Sequence, residues 1–298
     1  MSESRDLRYD VVDVFTDRPY AGNPLAVVHG AEALSTARMQ AIAAEFNLSE
    51  TTFPLSPTGG GEQSADYRVR IFTPRAELPF AGHPSVGTAW VLARDGAIGY
   101  GDRVQECGAG LLPIRVDATG ARVEGGTPFL GEELNAVRLA AAVGLGPDDV
   151  DGAAVPGVAG AGVEYAILLV APGAVARSRP DPAALAAVTG GATGLLVASV
   201  DGTAERVHAR MFGNGIGVTE DPATGSAAVA LGVFLADRGL VGDDGEHPFV
   251  VTQGVEMGRP STLHAGVRTA GGRAAGTWVG GSVVPVAAGT LTRPPGDR

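Results

Sequence analysis

A helix start written twice constrains this chain more than any other feature. Residues Ala81-Gly-His-Pro-Ser-Val-Gly-Thr-Ala-Trp-Val91 and Glu220-Asp-Pro-Ala-Thr-Gly-Ser-Ala227, the latter opening the apolar run Ala228-Val-Ala-Leu-Gly-Val-Phe-Leu235, share the pattern His/Asp-Pro-x-x-Gly-Thr/Ser-Ala-x-Val. In this alignment His83 matches Asp221, 138 positions on (221 − 83). Arg70-Ile-Phe72 precedes the first copy as Arg210-Met-Phe212 precedes the second, with eleven residues from Phe72 to His83 and nine from Phe212 to Asp221. A duplicated strand, loop and helix start predicts two similar lobes related by a pseudo-twofold axis, with a cleft between them that receives two helix N-termini. Asp221 is the predicted cap of the second helix, with Pro222 at its first position.

At 298 residues and 45% hydrophobic content the chain can bury two ordinary cores. Its net charge of −11 and the absence of any Lys/Arg cluster argue against a nucleic-acid surface and point to a small ligand. Residues 1–7 are polar and no run of some 18 apolar residues follows, so the expectation is a soluble, cytoplasmic protein with no membrane partner. Cys107 is the single cysteine, which forbids an internal disulfide and any reaction that needs two thiols on opposite faces of a substrate. None of the five histidines stands at metal-ligand spacing, so no metal is expected.

Alternation predicts strands over 9–15 and 66–72, and a turn into a strand over 21–28. Helical spacing over Thr36–Phe46 puts Met39, Ile42, Ala43 and Phe46 on one face. Glu50 follows at a helix-to-strand junction. Helices over 84–93 and 223–235 are apolar nearly all round, as suits helices wrapped by sheet. Short strands are expected over 107–116, 248–253 and 262–267, buried strands over 164–170 and 194–200, and a short helix opened by Asp181-Pro182. Residues 131–144 read as a helix and 152–162 as a loop. A strand over 282–287 is expected to rejoin the first lobe, giving an N-terminal lobe of 1–126 with 285–298 and a C-terminal lobe of 127–284; 292–298 read as a frayed end.

Asp221 can be a cap and no more, as Asp181 is expected to be. His83 at a matching position is harder to explain as a cap, because imidazole is a poor one and its charged form is disfavoured at a helix's positive end. A neutral His83 suits a pocket. Glu50 can be a surface carboxylate; yet Leu48 and Phe53 flank it, and an apolar setting raises a carboxyl pKa toward the range of general acid/base work. Gly213-Asn-Gly-Ile-Gly217 imitates a nucleotide loop, but no helix follows at once, so the signal is weak.

Taken in order, Gly22-Asn-Pro24, Leu48-Ser-Glu-Thr-Thr52, Phe72-Thr-Pro74 with Glu77-Leu-Pro-Phe-Ala-Gly-His-Pro84, Glu220-Asp-Pro-Ala-Thr-Gly-Ser-Ala227 and Gln253-Gly with Met257-Gly-Arg-Pro-Ser261 resemble the PhzF-like phenazine-biosynthesis isomerases. The resemblance implies an α+β, diaminopimelate-epimerase-like fold, two pseudo-symmetric lobes each with a sheet curled around a central helix. It implies a cofactor-independent isomerase of secondary metabolism, usually a homodimer, that moves a proton within a small carboxylate-bearing substrate. The acid/base glutamate of such enzymes falls on Glu50, and their pocket residues fall on His83, Asp221 and Ser226. Asn23, Gly82, Ser85 and Gly225 join Ser226 as expected substrate-binding residues. The related racemases and epimerases carry a cysteine at each helix start, and this chain carries none there. A racemase-like enzyme, or a non-catalytic ligand-binding or scaffold protein of the same fold, are the alternatives.

Overall fold

The computed structural model describes residues 6–59, 64–214 and 218–292. The expected end at 293–298 and most of the nucleotide-loop mimic, 215–217, lie outside them. The chain divides into two compact units, Met1–Val123 with Gly281–Arg298, and Glu124–Gly280.

In the first unit the order is β1 (Asp6–Val14), β2 (Asn23–Val28), α1 (Thr36–Phe46), β3 (Glu50–Leu55), β4 (Tyr67–Phe72), β5 (Glu77–Leu78), α2 (Gly82–Arg94), β6 (Gly101–Cys107), β7 (Gly110–Val116) and β8 (Gly120–Glu124). The second runs β9 (Pro128–Glu133), α3 (Ala136–Ala142), β10 (Gly157–Ala161), β11 (Glu164–Leu169), α4 (Ala174–Arg177), α5 (Pro182–Val188), β12 (Gly194–Val200), β13 (Arg206–Gly213), β14 (Glu220–Asp221), α6 (Gly225–Asp237), β15 (Gly245–Gln253), β16 (Ser261–Ala270) and β17 (Arg273–Thr292). Residues 281–292 of β17 lie in the first unit, antiparallel to β1.

The two units repeat one topology. β2 runs parallel to β3 across α1, β3 is antiparallel to β4, β4 takes the two-residue β5 on its edge, and β4 is parallel to β6 across α2. In the second unit β11, β12, β13, β14 and β15 repeat these pairings, with α4 and α5 in the first crossover and α6 in the second. The mixed sheets and helices make the fold α+β.

Each repeat leaves one helix sealed in. Every residue of α2 from Gly82 to Ala93 is buried, as is every residue of α6 from Gly225 to Ala236. A helix apolar on all sides has no face to give to water, so sheet must cover it all round. α1, in contrast, buries Met39, Ile42 and Ala43 against Phe53 and Phe72 and turns its polar side outward. Close approach of α2 to its sheet depends on Gly87, where a Cβ would fall 2.6 Å from Leu25 Cδ2 and 2.8 Å from Val14 Cγ2.

Thr36–Phe46, 194–200 and the Asp181-capped helix stand where periodicity put them. Other expectations need correction. Residues 128–133 are strand β9, and the helix read over 131–144 is the shorter α3, capped by Asn135. The loop read over 152–162 contains strand β10, whose five residues are all buried small or branched groups that carry no alternation. The helix starts are also shifted: α6 is capped by Thr224, leaving Asp221 three residues upstream in β14, while Ala81 caps α2 and His83 is its second residue.

Candidate active site

In the first unit, α1 ends on Asn47 in the left-handed conformation, and β3 begins three residues later at Glu50, opposite Leu25 of β2. His83 Nε2 lies 3.4 Å from Glu50 Oε2. Burial depresses the imidazole pKa to about 3, so His83 is neutral at ordinary pH. Asn23, fully buried at the head of β2, places its amide nitrogen 3.3 Å from His83 Nδ1. An amide NH₂ can donate and not accept, so Nδ1 is the acceptor and the ring proton sits on Nε2, facing the Glu50 carboxylate. Glu50 itself keeps 16% of its side-chain surface open, against 5% for His83. Glu50 Oε2, the oxygen beside His83, is itself buried, so the open part of the Glu50 side chain lies away from the imidazole.

Two hydroxyl networks hold this geometry. Thr88 of α2 and Thr52 of β3 hydrogen-bond at 2.8 Å, which pins the helix to the strand that carries Glu50. Ser85 is fully buried; its hydroxyl donates to Ala81 O at 2.9 Å and accepts from Gln105 Nε2 at 2.9 Å, while Gln105 Oε1 accepts from Tyr67 at 2.9 Å. Burial pushes the Tyr67 phenol well above its usual pKa, so it remains a donor. Ser85 is thereby engaged from both sides within the protein.

A second cluster lies in the second unit. Asp221 Oδ2 accepts from Thr224 Oγ1 at 2.6 Å; Gln253 Nε2 donates to Asp221 O at 2.8 Å and to Thr224 Oγ1 at 3.0 Å, and Gln253 Oε1 accepts from Thr224 N at 3.3 Å. Thr224 thus spends its hydroxyl on Asp221 instead of capping its own helix. Ser226, the second residue of α6, shares a 2.8 Å hydrogen bond with Tyr165 of β11. Gly82 and His83 in α2, and Gly225 and Ser226 in α6, contribute first-turn amides, which have no i−4 carbonyl and favour anions.

Of the eight residues singled out from the sequence, Asn23 and Glu50 flank His83 in the first unit, with Gly82 and Ser85 on the same helix start; in the second, Asp221 is bonded to Thr224, and Gly225 and Ser226 open α6. Tyr67, Gln105, Thr224 and Tyr165 escaped the sequence reading. Tyr165 left a signal, since a phenol at the head of the apolar run Ala166-Ile-Leu-Leu169 needs a buried partner. Another group, Asp10, His29 and Asp95, has ligand-capable atoms within metal-binding reach of one another. Arg94 donates to Asp10 at 2.8 Å and Arg8 donates to Asp95, so this group is knit by two guanidiniums. Its members come from three elements, which is why no spacing revealed it.

The duplicated architecture is shared with known proteins. Residues 12–289 match the profile of the PhzC-PhzF family, described as phenazine biosynthesis-like protein. An uncharacterized isomerase of Mesorhizobium japonicum is 38% identical over 95% of this chain and 98% of its own length. The trans-2,3-dihydro-3-hydroxyanthranilate isomerase of Pseudomonas aeruginosa is 37% identical, again over 95% of this chain and 98% of its own. Among solved structures, a phenazine biosynthesis protein of the PhzF family from Bacillus anthracis superimposes with a TM-score of 0.84 at 25% identity, covering 96% of this chain and 99% of that one. The fold is therefore diaminopimelate-epimerase-like, and the chain belongs to the PhzF family of phenazine biosynthesis-like proteins, as an isomerase.

Proposed function

We propose that this isomerase moves a proton within a small carboxylate-bearing substrate, without a cofactor, and that Glu50 is its general acid/base. The Glu50 carboxylate takes a proton from one carbon, the freed electron pair enters a shifted double bond, and the same carboxyl returns the proton to another carbon. Charge and atoms balance with no further reactant. The observation that carries this reading is a Glu50 side chain that stays partly open while its carboxylate lies 3.4 Å from the Nε2 of a neutral, buried His83. A neutral imidazole beside the carboxylate leaves its basicity intact, whereas an imidazolium would quench it. Within each unit the helix start favours an anion, through the first-turn amides of α2 in the first and through those of α6 with the Ser226 hydroxyl in the second; Asp221 holds a polar group of substrate, and Asn23 and Ser85 position their neighbours from behind.

The first molecule to test is trans-2,3-dihydro-3-hydroxyanthranilate, the substrate in the name of the Pseudomonas aeruginosa relative. Protein stripped with a chelator should convert it to an isomer of unchanged mass, followed by ultraviolet absorbance and proton NMR. An absolute need for added metal or organic cofactor would contradict the proposal. No helix among the described residues is long and apolar enough to cross a membrane. We place the enzyme in the cytoplasm and expect a homodimer; light scattering that shows monomer alone at micromolar concentration would contradict the latter.

A further inference from the structure

The repeated Arg-x-Phe motif takes no part in the chemistry above, yet the structure uses both copies alike. Arg70 grips Glu77 through Nε to Oε1 at 2.7 Å and a terminal nitrogen to Oε2 at 2.6 Å. Arg210 grips Glu220 in the same way, at 2.7 and 2.8 Å. Each guanidinium also lies over the phenylalanine two residues on, 5.1 Å from the Phe72 ring centroid and 4.9 Å from that of Phe212. Each glutamate sits on the two-residue strand that pairs with the arginine's own strand, Phe72 opposite Glu77 and Phe212 opposite Glu220.

From each glutamate the chain needs five residues to reach the first glycine of the sealed helix, Glu77 to Gly82 and Glu220 to Gly225. A second contact closes each connection from the other side. A Cβ on Gly108 would stand 2.8 Å from Pro79 Cα, and one on Gly254, whose φ is +73°, would stand 2.6 Å from Pro222 O. Both five-residue connections are therefore held at a fork and at a glycine–proline contact. The residues they deliver differ: one ends at His83, the other carries Asp221 beside Glu220 and ends at Ser226.

We propose that the two forks are positioning devices, Arg70–Glu77 setting His83 against Glu50 and Arg210–Glu220 setting Asp221 and Ser226 for substrate. The assignment of consequences rests on the proposed reaction, whereas the control of the two connections does not. A bidentate fork fixes direction as well as distance, and lysine, a point charge, cannot replace it. Small displacements of catalytic groups are costly in rate. The first fork acts through proton transfer and the second through binding.

The test uses Arg70→Lys and Arg210→Lys in the full chain, with Glu77→Gln and Glu220→Gln as milder variants should either lysine variant fail to fold. Hydrogen exchange on the free enzyme should quicken roughly tenfold at the amides of 78–83 in the first variant and of 221–226 in the second, with β7 and β16 unchanged. With trans-2,3-dihydro-3-hydroxyanthranilate as substrate, Arg70→Lys should lower kcat about tenfold at near-constant KM, and Arg210→Lys should raise KM about tenfold at near-constant kcat. A purely structural role would lower melting temperature and active fraction without that split. Unchanged exchange in both connections overturns the proposal, as does quickened exchange with kcat and KM both at wild-type values. If the wild type itself does not turn over this substrate, the functional reading fails and the exchange measurement still decides the forks.

Discussion

Acid should destabilise this protein through His83, and the size of the effect follows from where the ring lies. In the unfolded chain an imidazole titrates near 6.5; in the folded protein burial holds it near 3. The unfolded state therefore binds more protons between these values. The contribution to stability is complete above pH 6.5 and is lost as pH falls toward 3. One proton amounts to about 1.4 kcal/mol per pH unit, and the unfolded imidazole is half protonated at pH 6.5, so the loss between pH 6.5 and 4.5 is about 2 kcal/mol, against a total stability of roughly 5–15 kcal/mol for an ordinary domain. His83→Asn keeps an acceptor for Asn23 and titrates nothing. Urea unfolding of wild type and variant at pH 7.5, 6.5, 5.5 and 4.5 isolates the effect, because the carboxylates and His29, whose pKa burial also lowers, are common to both and cancel in the difference. The wild type's advantage should be nearly full at pH 7.5 and shrink by about 3 kcal/mol by 4.5, about 2 kcal/mol of it below 6.5. A difference that stays flat across the range would show that His83 is charged in the folded protein or reaches water, and the neutral-imidazole geometry would fall with it.

Gly87→Ala gains up to about 1 kcal/mol of helix propensity but drives a methyl into the fully buried Leu25 and Val14, an overpacking worth about 1–3 kcal/mol, so thermal melting should show a net loss and a raised melting temperature would refute the close approach. Gln253→Ala leaves the Thr224 amide and the Asp221 carbonyl without their side-chain partner and should cost roughly 2 kcal/mol in denaturant titration while weakening substrate binding; unaltered KM would detach Asp221 from the site. Cys107→Ser should retain activity within about twofold, since burial raises the thiol pKa and leaves little thiolate; an inactive variant would bring thiol chemistry back.

The duplication was legible in the sequence, but its register was not. Matching His83 to Asp221 implies an offset of 138, whereas Glu77 to Glu220 and Gly82 to Gly225 both give 143. The structural counterpart of His83 is thus Ser226. The sequence could not reveal this because a proline suits the approach to a helix as well as its first turn: Pro79 and Pro222 precede their caps, while Pro84 lies inside α2. The link from Phe72 to Glu77 is also shorter than that from Phe212 to Glu220, five positions against eight, and an insertion of that kind slides a short motif match without trace. Glu50 stood out by its place at the junction of α1 and β3. Tyr67 and Gln105 did not, because a buried polar side chain shows its purpose only when its partner, far away in sequence, is known. The all-buried α2 and α6 were readable because a helix without a polar face admits one kind of surroundings.

Whether Glu50 moves the proton is tested most directly by comparing turnover and binding in Glu50→Gln, which keeps the shape of the side chain and removes its basicity. Turnover of trans-2,3-dihydro-3-hydroxyanthranilate should fall by about a hundredfold or more, the size of a lost general acid/base, while calorimetric affinity for the same molecule stays within a few-fold of wild type. A folded Glu50→Gln protein that binds the substrate and isomerises it at near wild-type rate would contradict the account.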